Sequence, residues 1–441
     1  MAMVSVVLGI ARLFADLGVN SAFVQSRDVT EEQRSSLFWL NVSMSGGLTV
    51  LVVILSPVFA ALFGDSRLTP LIMLSATTFV LGALGQQVKM AAEKELQFKT
   101  VVILDLVAAA LGFGTAVSAA LAGWGVYALV ASGIVATASA SAGYWIFVAD
   151  GWRPMLRLRM EDVRPFVGFG SAVVANNMVN YVNRTVDVML GGRLLGGTEL
   201  GLYSVPRNLV LELSGLVNAV ITRVGFPVIA QVQANVKQVR AIYLKTINMT
   251  AATNAPLYVG IAFFAPDIVA ILLGEGWERS GALLRTLALW GGIRSTLNPV
   301  GSLLYGMGRA SLALKWNMVL LFVVPPAVWA GSQYGPEGMA LALLLMQASL
   351  FIPSWYFLVR PLCRAKLVEY SVAALRPFAL SGLAVAPAFW IASQVDGHIG
   401  RLAIGIALAA PLYAGLSYLI NREWLGAMME VLGYPMAVSK R

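Results

Sequence analysis

The sequence predicts an all-α, polytopic transmembrane helix bundle, and three observations carry that prediction. Hydrophobic residues make up 58% of the 441 positions and charged residues only 12%, against roughly 25% charged residues in soluble domains, and mean hydropathy is +0.77. Apolar stretches of the roughly 20 residues needed to cross a hydrocarbon core recur from end to end, separated by short polar breaks. Lipid admits only helices and closed barrels. A barrel would alternate apolar and polar residues in units of about ten, whereas the runs 48–63, 101–121 and 339–352 are apolar on every face, so helices are selected.

Hydropathy and chain breakers give thirteen candidate spans, at 1–19, 38–62, 69–91, 101–122, 125–147, 165–189, 203–229, 247–273, 280–306, 314–331, 337–359, 372–395 and 400–420. The 31 Lys and Arg support this layout. One set of alternate loops and the tail holds 21 of them, the opposite set holds only Arg67, Arg193, Arg279 and Arg401, and six lie within spans. Because basic loops stay in the cytoplasm, the 21-residue set marks that side and the C-terminus is cytoplasmic. The net charge of +9 is then mostly this bias rather than a nucleic-acid surface.

Thirteen spans and an inside C-terminus put Met1 outside, although nothing basic flanks it, so a further leading helix upstream is expected. The longest basic loop, 151–164, divides the chain into an N-terminal lobe at 1–150 with five spans and a C-terminal lobe at 165–359 with six. Residues 360–441 add two spans and a cytoplasmic tail.

The chain has one cysteine, Cys363, and one histidine, His398. An intramolecular disulfide and a Cys-based metal site are excluded. His398 falls in a Asp-Gly-His-Ile-Gly stretch that reads as a loop, without neighbouring partners for a metal site or an acid–base relay. No metal and no cofactor are expected.

The polar residues inside the spans are the candidate site. Six arginines there (Arg12, Arg184, Arg207, Arg223, Arg285 and Arg294) would cost about 2.5–3.5 kcal/mol each if lipid-facing, so they must face protein or water. Arg223 and Arg285 can snorkel, and Arg12 can pair with Asp16 four residues on. In the segment 176–187, Asn176, Asn180, Asn183 and Asp187 fall within an arc of about 60° with Arg184 beside them. Such a stripe lines either a hydrated cavity or a seam between helices. In the next span Arg207, Ser214, Asn218 and Thr222 align, and after Arg279 the residues Arg294, Asn298, Ser302 and Tyr305 share a broad face. The planar guanidinium suits phosphate, so Arg184, Arg207, Arg223 and Arg294 are the candidate anion contacts. Asn176, Asn180, Asn183, Asn218 and Asn298 are the candidate polar contacts, and Asp187 and Asp16 are candidates for ion coupling. Arg12, Asp16, Asn41, Gln86, Gln87 and Asp105 in the first lobe are less clearly organised. Prolines at 256, 266, 299, 325, 326, 353 and 387 mark expected kinks or helix ends.

Several stretches carry a family resemblance: FADLGVNSAFVQSRDVTEEQRSSLFWLNV (14–42), QQVKMAAEKELQF (86–98), LGLYSVPRNLV with ITRVGFPVIAQVQ (within 200–233), LLGEGWERSGALLRTLAL (272–289) and NPVGSLLYGMGRASLALKWN (298–317). In their order and spacing the chain resembles the Wzx-type polysaccharide flippases. It resembles especially the colanic-acid exporter branch of the multidrug/oligosaccharidyl-lipid/polysaccharide exporter superfamily. The resemblance implies fourteen helices, as two six-helix lobes around a central cavity plus two more. The FADLG segment would belong to the second helix, so the first is missing here. It also implies a bacterial inner-membrane protein that moves undecaprenyl-diphosphate-linked oligosaccharide outward by alternating access, alongside a polysaccharide polymerase and export machinery. Arginines would then attract the diphosphate while Asn and Ser groups meet sugar hydroxyls.

The rival within the superfamily is a cation-coupled drug antiporter, which would be expected to line its cavity with acidic and aromatic groups. Six arginines against about five acidic residues in the spans favour an anionic cargo. A membrane enzyme modifying polysaccharide would need a constellation of acid, base and nucleophile that the short external loops do not supply. A structural scaffold would leave the polar stripes unexplained.

Overall fold

Every regular element in the computed structural model is helical among the described residues, which are 1–16, 29–95, 97–422 and 424. Side chains at 13–16, 164–177, 216–217, 219–227, 230 and 310 lie outside the description. The chain divides into two compact units, Met1–Gly196 and Gly197–Arg441.

The first unit contains α1 (Ala2–Asp16), α2 (Glu31–Phe63), α3 (Leu68–Lys94), α4 (Phe98–Leu121), α5 (Tyr127–Phe147) and α6 (Met160–Leu194). A capping box starts α2: the Gln33 amide donates to Thr30 Oγ1 at 3.2 Å and the Thr30 amide to Gln33 Oε1 at 3.1 Å, satisfying two orphan donors of the first turn. Gly64 ends it in the left-handed region at φ 71°, a conformation open to glycine. In the turn that follows, Arg67 donates through its side chain and backbone to Asp65 and holds that carboxyl below its usual range. Leu106, Phe113, Val50 and Ile54 are exposed, as residues facing lipid must be, while small residues on α4 (Ala108, Gly112 and Ala119) are buried. Close helix approach on small residues is the rule in a bilayer. It is clearest between α3 and α5, where a β-carbon on Gly85 would lie 2.7 Å from Ser141 Cα and Ser141 Oγ donates to the Leu81 carbonyl at 2.6 Å.

The basic stretch 151–164 is docked rather than loose. Arg157 bridges Glu32 at 2.8 Å and Asp162 at 3.1 Å, Ser36 Oγ donates to Asp162 Oδ2 at 2.8 Å, and the Arg34 guanidinium lies 4.0 Å over the Trp152 ring. Residues that set topology therefore also fasten α2 to the start of α6.

The second unit contains α7 (Gly196–Gln231, most of its length), α8 (Val236–Phe263), α9 (Ala265–Leu273), α10 (Glu278–Thr296), α11 (Val300–Gly306), α12 (Ala310–Ser332) and α13 (Gly335–Ser349). It continues through α14 (Phe351–Ser354), a π-helical turn (Trp355–Val359), α15 (Arg360–Cys363), α16 (Leu367–Ala392) and α17 (His398–Ile420). Its core runs along α8, where Tyr243, Ile247, Ala251, Ala252, Ala255 and Tyr258 are fully buried, and α8 packs on both α10 and α16. Two of the prolines act as expected. A 77° bend separates α8 from α9 beside Pro266, and Pro299 stands at the break between α10 and α11. Pro256, Pro325, Pro326 and Pro387 lie inside helices, and Pro353 sits just ahead of the π turn. His398 is not an isolated loop residue: it opens α17, and its Nδ1 lies 2.7 Å from Asp267 Oδ1 on α9.

Among the described residues, eight helices are long and apolar enough to cross a membrane, or nine if α8 and α9 form one bent span. The other predicted spans are also helical. They are occupied by α1, α6, α7 and the α10–α11 pair; α1 is apolar but only 15 residues long, α6 and α7 carry arginines and amides within their length, and α10 carries arginines.

A glycine on α3 and one on α2 should respond differently to an added side chain. Gly85→Leu forces a side chain into the Ser141 backbone and should cost about 1–3 kcal/mol, whereas Gly47→Ala, with open space around it, should leave stability unchanged or slightly raised. Gln87 is fully buried with no partner for either side-chain polar atom, so Gln87→Met should stabilise by about 1 kcal/mol. Thermal unfolding of the three variants in one detergent checks the order.

Candidate functional site

Within the first unit, α1 to α5 surround a cavity of about 550 Å³. Its polar wall is Arg12 from α1, Asn41 and Ser45 from α2, Thr78, Gln86 and Lys89 from α3, Asp105 from α4, and Thr137, Ser141 and Tyr144 from α5. At one end Lys89 Nζ lies 2.9 Å from Asp105 Oδ2, and the Tyr144 hydroxyl donates to Asp105 Oδ1. Lys89 Nζ also stands 5.5 Å from the centre of the Tyr144 ring. Three helices thus meet at one carboxylate, and the cavity carries two cations, Arg12 and Lys89, against that one acid.

The sequence pointed to Arg12, Asn41, Gln86 and Asp105 without a common site, and the fold brings these four to one wall. Lys89 was missed because it was counted with the cytoplasmic loop. The signal was present: Thr78, Gly82, Gln86 and Lys89 recur at four- and three-residue spacing along one helix face.

Of the predicted stripe on α6, Asn180 and Asn183 are half-buried, Arg184 is exposed and Asp187 is buried. They belong to the first unit, where α6 packs on α1 and α2 and the Tyr181 hydroxyl reaches the Ser5 and Val6 carbonyls at 3.3 Å. Asn176, Arg223 and Asp16 have side chains outside the described residues.

In the second unit Asn218 joins a buried seam among α7, α8 and α10. Its Nδ2 donates to Ser295 Oγ at 2.8 Å and Ser214 Oγ at 3.2 Å, and its Oδ1 accepts from Asn254 Nδ2 at 3.3 Å. Tyr258 closes the seam by donating to the Val210 carbonyl at 3.0 Å. Arg207 is 4% exposed and donates to Asn208 Oδ1 at 3.3 Å. The Arg294 guanidinium lies 5.1 Å over the Trp290 ring, and Asn298 is exposed at the turn after α10. The seam residues Asn254, Ser295 and Tyr258 were not singled out from sequence, since Asn254 and Tyr258 of α8 meet Asn218 and Ser295 only across helices.

Chemically, the first-unit cavity offers cations, amides and hydroxyls for an anionic, hydroxyl-rich guest. Among the described residues no cluster of three or more His, Cys, Asp or Glu could hold a metal.

Comparison with known proteins agrees with the resemblance. A family model described as "Polysaccharide biosynthesis protein" matches residues 1–282. The chain is 27% identical over 411 residues to the teichuronic acid biosynthesis protein TuaB of Bacillus subtilis, covering 91% of this chain and 84% of that one. It is 28% identical over 378 residues to the lipopolysaccharide biosynthesis protein WzxC of Escherichia coli, covering 85% and 77%. To the succinoglycan biosynthesis transport protein ExoT of Rhizobium meliloti it is 19% identical over 435 residues, covering 97% and 88%. Its fold is like that of the lipid II flippase MurJ in an inward closed conformation, with a TM-score of 0.75 at 12% identity over 96% of this chain and 92% of that one. With a family match over more than half its length, the chain belongs to the polysaccharide biosynthesis protein family, and its polytopic helical fold is MurJ-like.

Proposed function

We propose that this protein moves an undecaprenyl-diphosphate-linked oligosaccharide from the cytoplasmic to the periplasmic leaflet of the bacterial inner membrane, for the synthesis of a surface polysaccharide. The product would be an exopolysaccharide, capsule or O-antigen. The observation that carries the reading is the cavity between α1 and α5: a membrane-spanning unit holds Arg12 and Lys89 beside amides and hydroxyls, the groups that a diphosphate and sugars require. Relatives named for polysaccharide biosynthesis and transport support it, as does the flippase fold. In this reading the lobes at 1–150 and 165–359, joined by the linker 151–164, rock about a central cavity and the last two spans stand aside. Arg184, Arg207, Arg223 and Arg294 would attract the diphosphate, and Asn176, Asn180, Asn183, Asn218 and Asn298 would meet sugar hydroxyls. Asp187 or Asp16 would bind a coupling ion, and the lipid tail would stay in the bilayer. A polymerase would take the delivered unit.

One observation favours the antiporter alternative: Asp105 and Tyr144 supply an acid and an aromatic ring in the cavity. Lys89 already engages that acid, which leaves the anionic cargo as the stronger reading.

Removing a cation that bonds phosphate should cost about 1.5–3 kcal/mol of cargo interaction, which is tenfold or more. Lys89→Gln, Arg207→Ala and Arg294→Ala should therefore reduce glycan export while the protein inserts at normal levels, and Asn180→Leu and Asp187→Leu should impair it too. Normal export from all five variants would assign these residues a structural role.

Two negative charges moved outward from a negative interior gain about 4.6 kcal/mol at 100 mV. Collapsing the potential in vesicles loaded with the lipid-linked oligosaccharide should slow outward flipping, and reversing it should slow flipping further. Rates indifferent to size and sign of the potential would point to an electroneutral cycle.

A further inference from the structure

A second cavity, about 400 Å³, lies as a groove between α8 and α16 in the second unit. Lys245 and Asn248 of α8 and Glu369 and Arg376 of α16 form its polar side, and Val368 and Val372, 72% and 47% exposed, form part of its apolar side. Charge sets this groove apart from an ordinary basic loop. Glu369 is already committed: its Oε1 accepts from Arg240 Nη2 at 3.1 Å and its Oε2 from the Lys366 amide at 3.0 Å. Among the described residues Arg376 faces no carboxylate. Its Nη2 donates to Asn421 Oδ1 at 2.7 Å and Asn248 Oδ1 at 3.2 Å, and the two amides bond each other at 2.8 Å. Amide oxygens satisfy N–H groups but leave the charge in place, and Arg376 Nε is buried with no partner at all. Lys245, exposed on the same groove, has no carboxylate within ion-pair distance among the described residues.

Topology alone does not require this arrangement. Basic residues that orient a membrane protein serve from solvated loops, whereas Arg376 stands nine residues inside α16, roughly 14 Å along the helix, packed on two buried amides. A cation held there lacks a counter-charge among the described residues, and the groove walls name the chemistry of a fitting partner: an anion at the polar end and hydrocarbon along the exposed valines. Asn421 caps the end of α17, the end that the basic loops assign to the cytoplasm.

We propose that the α8–α16 groove binds the phosphate headgroup of an anionic lipid in the cytoplasmic leaflet. Lys245 and Arg376 hold the phosphate, Asn248 orients Arg376, and an acyl or isoprenyl chain lies along Val368 and Val372. The site is separate from the first-unit cavity and does not depend on what the protein transports.

The test uses the full chain in phosphatidylcholine vesicles doped with spin-labelled phosphatidylglycerol, reading the motionally restricted fraction. Wild type should select phosphatidylglycerol over spin-labelled phosphatidylcholine, and Lys245→Gln and Arg376→Gln should each reduce that selectivity by roughly fivefold. Arg376→Lys should retain most of it. Lys245 is at an exposed position, so its variant folds even where Arg376→Gln does not. Displacement of the probe by unlabelled undecaprenyl phosphate would assign the site to the isoprenyl carrier, and displacement only by phosphatidylglycerol to bulk phospholipid; both support a lipid-phosphate site. Selectivity unchanged in Lys245→Gln and Arg376→Gln, or displacement by inorganic phosphate alone, would overturn it.

Discussion

A lipid tail offers a buried hydroxyl, amide or charge nothing to bond, so each polar group within a span must find its partner in protein or in an enclosed cavity. Much of this fold follows from that requirement. Isolated hydroxyls turn back on their own helix: Thr115 Oγ1 donates to the Leu111 carbonyl and Thr250 Oγ1 to that of Thr246, both at 2.8 Å. Others reach across, as Thr49 does to the Ala76 carbonyl at 3.1 Å and Ser141 to Leu81, and each of those bonds fixes where two helices meet. Gln87 is an exception, enclosed in α3 with neither side-chain atom satisfied, one residue from the cavity-lining Gln86.

The same requirement explains why the first-unit cavity exists where it does. Gly85 and Ser141 draw α3 and α5 together at one level, and Trp145 Nε1 donates to the Leu84 carbonyl at 2.7 Å beside them. Lys89 and Tyr144, about one turn further along each helix, then point at Asp105 of α4. The three charged or phenolic groups are too bulky for close packing. Together they complete a polar wall that no apolar helix surface could supply.

What the sequence disclosed, and what it did not, divides along this line. Apolar length and the placement of basic residues are properties of a chain in order, so the helical class was legible, as was the presence of cations, amides and a carboxylate in the spans. Partnerships are not. His398 seemed alone because Asp267 is 131 residues away in sequence. Asn218 aligned with Arg207, Ser214 and Thr222 on its own helix, and its bonds to Asn254 and Ser295 are seen only in the fold. Lys89 and Arg376 were assigned to loops because a lysine or arginine near a span end is ordinarily solvated, and only the fold reveals the carboxylate that meets one and the amides that meet the other. Residues 151–164 show the reverse case: their charge gave the topology, while their role as a clamp on α2 depended on Glu32, more than a hundred positions earlier.

Under the proposed function, the pairing of Lys89 with Asp105 bears on how tightly cargo is held. A lone lysine on a cavity wall would grip a diphosphate with the full strength of a charge-assisted bond and would resist its departure. A lysine already engaged at 2.9 Å by a carboxylate that Tyr144 also holds must exchange one anion for another, so its net gain is a difference between two similar interactions. A transporter needs binding favourable enough to admit its guest and weak enough to release it. Tyr144 strengthens the competitor in this exchange, since it steadies Asp105 in the pairing geometry, while Arg12 on the same wall draws the phosphate in. The position of the balance is therefore set by α4 and α5 as much as by the lysine itself, and a change at Tyr144 would shift it toward tighter cargo binding and slower release.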